Sequence, residues 1–147
     1  MDDLVAFLRA RLDEDERIAR AAAEPERWVE LNRAPQRSWS VEFWADPDRA
    51  AVVAEGSSAY PVVVTTQGMA EEDAEARALH IARHDPARVL RDIEADRALL
   101  DRYAEVAAND MDDVEYAHGW ANALGLAVRY RAVRFADHPD YREGWRP

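Results

Sequence analysis

Residues 38–66 read SWSVEFWADPDRAAVVAEGSSAYPVVVTT, and this stretch decides the fold class, because the spacing of apolar residues drops here to two. Trp39, Val41 and Phe43 alternate with Ser40 and Glu42, the pattern of a half-buried strand. ADPDRA supplies turn residues, AVVAEG a second strand and AYPVVVTT a third. Pro61 cannot donate a ladder hydrogen bond, so the third strand begins or edges the sheet. The economical arrangement is a small antiparallel meander over about residues 38–66.

On both sides of this stretch the apolar period is helical. Residues 2–23 carry Leu4, Leu8, Leu12, Ile18, Ala19 and Ala22 at helical spacing behind an acidic start. Pro25 and Pro35 bracket Trp28, Val29 and Leu31, read as one short helical turn. After the strands, residues 69–84 form a helix whose first turn holds Glu71, Glu72 and Asp73, which suits the positive end of its dipole. A longer helix follows over 86–107, with Asp85 as its N-cap and Pro86 at its first position, where a missing N–H costs nothing. A last helix over about 112–133 carries Val114, Ala117, Trp120, Leu124, Ala127 and Val128. Gly119 and Gly125 inside it point to a bend or to close packing of another backbone. The sum is one α+β domain over residues 1–147, with four helices on a small antiparallel sheet.

Composition limits the functions. At 147 residues a single domain buries roughly 70% of its unfolded surface and needs no staple. There is no cysteine, which excludes thiolate zinc sites, redox motifs and cysteine nucleophiles. The net charge is −11, and all 19 basic residues are Arg. Binding to phosphate backbones depends on basic side chains releasing counterions, so direct nucleic-acid binding is disfavoured. Five of the arginines, Arg129, Arg131, Arg134, Arg142 and Arg146, fall in the last 21 residues against three acids and make a local basic patch. The start, MDDLVAFLRARLDEDER, is neither a secretion signal nor a membrane span. We expect a cytoplasmic protein that does not enter a membrane.

Two helices share a defect in their apolar stripes. In the first, the turn between Leu12 and Ile18 offers only Asp15 and Glu16; in the long helix, the turn between Ile93 and Leu99 offers only Asp96 and Arg97. The simplest reading places these charges at the rim of narrow stripes. A structural ion pair, with Asp15 or Glu16 meeting Arg97, and a polar groove for a ligand are the alternatives. Breaking a deeply buried pair costs about 3–5 kcal/mol, which favours partial exposure.

His80 and His84 lie four apart and share a helix face, the spacing by which two imidazoles reach one ion. A zinc site needs three or four protein ligands, and Asp137, His138 and Asp140 of ADHPD are the candidates to complete it, with His118 a further one. The structural alternative makes His84 part of a helix end and HDP a corner between two helices. In DHPDY, Asp137 is a candidate N-cap. HD-type phosphohydrolases need an earlier His on a separate helix, whereas here Pro86 follows the pair at once. No nucleophile elbow or phosphate-binding glycine loop is present. Five tryptophans are many for this length; Trp39, Trp44 and Trp145 are the candidate contact aromatics, Trp39 and Trp44 falling on opposite faces of the first strand.

MDDLVAFLRARLDEDERIARAA, HIARHDPARVL and ADHPDYREGWRP together resemble a family of small proteins of unknown function from actinobacteria and their phages. The resemblance covers the first helix, the corner with its following helix, and the tail. It implies no activity, ligand or catalytic residue; its phage members suggest an accessory role. The expected function is that of a non-enzymatic accessory protein that binds another protein, a homodimer included, without a cofactor. The alternatives are a divalent-metal protein or hydrolase built on His80, His84, Asp137 and His138, and an acidic mimic of nucleic acid.

Overall fold

The computed structural model describes residues 1–24, 37–43, 50–54, 62–65, 71–109 and 115–147. Helix α1 spans Asp2–Ala23, strands β1, β2 and β3 span Trp39–Phe43, Ala50–Ala54 and Val62–Thr65, and helices α2, α3 and α4 span Glu71–Arg83, Pro86–Asn109 and Glu115–Ala132. Two 3-10 turns follow, Val133–Phe135 and Glu143–Trp145. The four helices and the meander are those the periodicity predicts. The turn expected around Trp28 lies outside the described residues. Contacts group the chain into two compact units, Met1–Asp15 with Asp92–Pro147, and Glu16–Arg91.

The Glu16–Arg91 unit is built on the sheet. Its order is β1-β2-β3, both pairs antiparallel, with Val41 opposite Val52 and Val52 opposite Val64. Along β2 the partners run Ala51–Thr65, Val52–Val64 and then Val53–Val62, so Val63 is the extra residue of a bulge on edge strand β3. Every residue of β2 is buried. On one face Ala50 and Val52 meet Ala78 of α2, with Trp39, Val41, Val64, Ile81 and Ala82 packed around them. The indole Nε1 of Trp39 is buried without a hydrogen-bond partner.

The corner between α2 and α3 satisfies its own backbone. Pro86 has no N–H; Ala87 N–H donates to the Arg37 carbonyl at 2.9 Å, Arg88 N–H to Asp85 Oδ1 at 2.7 Å and Val89 N–H to the Asp85 carbonyl at 3.1 Å. All four N-terminal positions of α3 are thereby accounted for. The second Asp85 oxygen accepts from Trp39 N–H at 3.4 Å, so one carboxylate caps α3 and holds the start of β1.

The Met1–Asp15 and Asp92–Pro147 unit is helical. α1 buries Leu4, Phe7, Leu8 and Leu12, and α3 buries Ile93, Asp96, Leu100, Tyr103 and Val106. Arg9 pairs with Asp101 at 2.7 Å and Asp13 with Arg97 at 2.5 Å. Four residues forward on α1 match four back on α3, so the two helices run antiparallel. These pairs are exposed and worth little energetically; they mark the register that the packing of the two helices sets.

Two stripes run differently from the expectation. On α1 the buried positions after Leu12 are Ala19 and Ala23, while Ile18 is 53% exposed and Ala22 is exposed. Steps of four, four, seven and four keep one face, and Ile18 lies beside it. On α4 the buried line is Ala121, Gly125, Val128 and Ala132, which leaves Trp120 41% exposed. A Cβ on Gly125 would meet the side chains of Tyr103 at 3.4 Å and Met1 at 3.7 Å, so side chains rather than another backbone approach it; at Gly119 nothing among the described residues lies within 4 Å.

Asp85→Ala removes the cap of α3. The expected cost is about 1 kcal/mol, read as a lower urea midpoint with unchanged slope, and Asp85→Asn should retain most of the lost stability. An unchanged midpoint for Asp85→Ala would show that the Asp85 contacts do not contribute.

Candidate functional site

Of the residues suggested by sequence for a metal, His84 and His138 are engaged otherwise. His84 Nδ1 lies 2.8 Å from the His80 carbonyl. A carbonyl only accepts, so that nitrogen donates and caps the end of α2. The two imidazoles sit against each other, centroids 4.5 Å apart and tilted by 46°. Arg88 donates to the Arg83 carbonyl at 3.3 Å, serving another carbonyl of the same helix end. In the helical unit, His138 Nδ1 accepts from Asp140 N–H at 3.1 Å, and its Nε2 lies against the Arg11 guanidinium. Asp137 is exposed and begins no helix; the turn that follows starts at Glu143, after Arg142. Among the described residues no group of three or more His, Asp or Glu is arranged to hold a metal ion.

The interrupted stripes resolve into an ion cluster. Asp96 occupies the stripe position itself and is only 4% exposed. Its Oδ1 lies 2.9 Å from Arg131 Nε on α4 and its Oδ2 lies 2.7 Å from an Arg134 guanidinium nitrogen in the following turn. Both contacts are ion pairs whose angles fall outside hydrogen-bond geometry. The carboxylate alone is buried, since Arg131 is half exposed and Arg134 about a third exposed. Arg97 reaches Asp13, and Glu16 pairs with Arg20 on its own helix. Asp15 joins the cluster through Arg134. Burial pushes its carboxyl above its ordinary value; Arg134 opposes this, Glu14 reinforces it and Arg11 opposes it.

Beside this cluster the tail docks on α1. The Phe7 ring lies 5.0 Å from Trp145, 5.5 Å from His138, 6.2 Å from Phe135 and 6.3 Å from Tyr141, centroid to centroid. Arg134 stacks on Phe135 and Arg142 on Trp145, and Arg142 pairs with Asp3 at 2.7 Å. An open cleft of about 460 Å³ lies here, with Arg11, Tyr141, Arg142 and Trp145 in its walls. Its cations are neutralised from within, Arg11 by Glu14 at 2.9 Å and Arg142 by Asp3. The cleft therefore offers little uncompensated charge to a ligand, and Trp145 serves the docking of the tail. Trp39 packs on the sheet, and Trp44 lies outside the described residues.

The surface that sequence reasoning missed is the outward face of α4. Leu126 and Tyr130 of α4, and Val133 at the start of the turn after it, follow at steps of four and three and are 47%, 64% and 36% exposed. They lie roughly opposite the buried line of Ala121, Gly125, Val128 and Ala132. A hollow of about 290 Å³ opens at the edge of this face, between Tyr103 of α3, Ala121, Gly125 and Leu126, with Arg129 in its wall. The signal was present in the sequence: from residue 116 to 136 the chain contains no acid and is apolar at more positions than one stripe requires.

A model of a family of unknown function (DUF6221) matches residues 1–147. The chain belongs to that family, and the match takes in the strand region that the sequence resemblance left out. No curated protein and no solved structure matches the chain.

Replacing Arg131 and Arg134 together by Ala strands the Asp96 carboxylate, and the expected loss is about 3–5 kcal/mol in urea unfolding. Adding Asp96→Asn should recover most of it. A double variant as stable as the parent would show that these pairs do not hold Asp96.

Asp15 gives a pH test. A raised carboxyl pKa means that the folded chain binds this proton more tightly than the unfolded chain does. The resulting stability is complete below the ordinary value of 3.8 and is lost as pH rises through the folded value. At neutral pH the ionised group is a net cost, so Asp15→Asn should melt higher than the parent, with the gap closing on acidification. A gap that stays constant from pH 7 to pH 4 would contradict the assignment.

Proposed function

We propose that this member of a family without an assigned activity is an accessory protein that works by binding another protein, with the outward face of α4 as its contact surface. The single observation that carries the reading is the second apolar line of that helix. A helix apolar on one stripe only is satisfied by its own core, whereas one apolar on two opposed faces is served by cover on both. Leu126, Tyr130 and Val133 form a contiguous exposed line beside a hollow able to take a side chain. Trp120, stacked by Arg102 at 4.6 Å, adds an aromatic on the flank of the same helix.

Exposed aromatic and aliphatic residues grouped on a rigid element are what protein interfaces use as anchors. The resemblance to actinobacterial and phage proteins agrees with an accessory role, and so does the absence from the sequence of cysteine nucleophiles, nucleophile elbows and phosphate loops. The pairing of Arg142 with Asp3 and the capping contact of His84 give those residues structural work.

The test is a double variant, Leu126→Asp with Tyr130→Asp. Both side chains are exposed, so the melting temperature should stay near that of the parent, while binding to the physiological partner falls at least about tenfold, as loss of a hot-spot residue does. Full binding by a folded double variant would refute the α4 surface as the contact.

A further inference from the structure

The charge around the α4 face is opposite in sign to that of the chain as a whole. The protein carries −11, yet between residues 116 and 136 its only formal charges are Arg129, Arg131 and Arg134. Asp96 neutralises one of the three, through its contacts to Arg131 and Arg134. Asp15 acts on Arg134 as well, so Arg129 is the clearest uncompensated positive charge of this face, with no acid in ion-pair contact among the described residues, and it stands beside an apolar line. Arg129 stands in the wall of the 290 Å³ hollow, next to Leu126.

From this geometry we infer that the partner presents an acidic amphipathic helix that lies along α4. Its apolar residues meet Leu126, Tyr130 and Val133, one large apolar side chain enters the hollow, and flanking carboxylates face Arg129 and the outer edges of Arg131 and Arg134. The inference rests on the α4 reading above and specifies the chemistry of what binds there. Helix-in-groove recognition uses anchors at i, i+3, i+4 and i+7, which matches the spacing of the exposed line.

Charge decides among the other occupants. A second copy docked face to face would set two basic faces against each other, and like-charge juxtaposition is costly at an interface. An anionic membrane would attract this face and repel the rest of a strongly acidic chain. Phosphate backbones would meet the same repulsion. An acidic helix is attracted by the face and is small enough to lie within it.

The experiment uses the full chain and displayed 20-residue helices with a fixed Leu stripe at i, i+3, i+4 and i+7, their flanking positions drawn from Glu, Gln and Lys. Glu-flanked helices should be enriched. As synthetic peptides they should bind about tenfold tighter than their Lys-flanked counterparts at low salt, with the advantage shrinking as salt is raised. Arg129→Glu should reduce that ratio at least fivefold without lowering the melting temperature, and Leu126→Asp should abolish binding of both peptides. Binding that Leu126→Asp abolishes but that shows no preference for Glu flanks overturns the acidic-partner inference and leaves the α4 contact surface standing. No binding at α4 by any helix overturns the inference. Cosedimentation with phosphatidylserine vesicles, or concentration-dependent dimerisation, would each overturn it in favour of a membrane or a second copy if lost in Leu126→Asp.

Discussion

One carboxylate organises the helical unit. Asp96 sits where an apolar residue would continue the α3 stripe, and a charge there is tolerated only with compensation close by. Arg131 and Arg134 supply it from α4 and the turn beyond. Because the arginines keep much of their surface in water, the desolvation cost falls mainly on one group. The compensation also has geometry. Apolar side chains could pack in several rotations of α4, whereas two fixed guanidinium contacts to one buried carboxylate select a single one. That rotation is what turns Leu126, Tyr130 and Val133 outward. Arg134 then passes the constraint on: it stacks on Phe135, whose ring meets Phe7, and Phe7 gathers the aromatics of the tail.

The parts of the fold legible in the sequence are those governed by local rules. The period-two stretch gave the three strands, Pro61 put the third at an edge, and Asp85 with Pro86 marked the start of α3, each from a few adjacent residues. The histidine corner was legible for the same reason: His84 closes the helix it ends. His80, which the corner left unexplained, is the ring against which His84 rests.

What was not legible depends on residues far apart in the chain. Asp96 and Arg97 looked alike as a polar turn, yet one is buried and the other lies at the edge, and the difference comes from where α4 falls. The register that pairs Arg97 with Asp13 is set by the packing of two long helices and has no local mark. Ile18 reads as a core residue because it is apolar, although the helical angle places it beside the buried line. On α4 the error had another cause. When apolar residues occupy two faces, periodicity cannot say which faces inward, and bulky Trp120 reads as interior where small Ala121, Gly125 and Ala132 are buried.

The bulge in the third strand has a bearing on the life of the protein in a crowded cell. Among the described residues β3 has no neighbour beyond β2, and a straight edge of that kind invites another chain to add a strand. The extra residue at Val63 breaks the even rhythm that such addition requires, and the strand is only four residues long. Its centre, β2, is among the most thoroughly buried segments of the molecule, so a chain that opened there would expose a run of Ala and Val prone to aggregate. A short, uneven border around a sticky centre lets the sheet stay private.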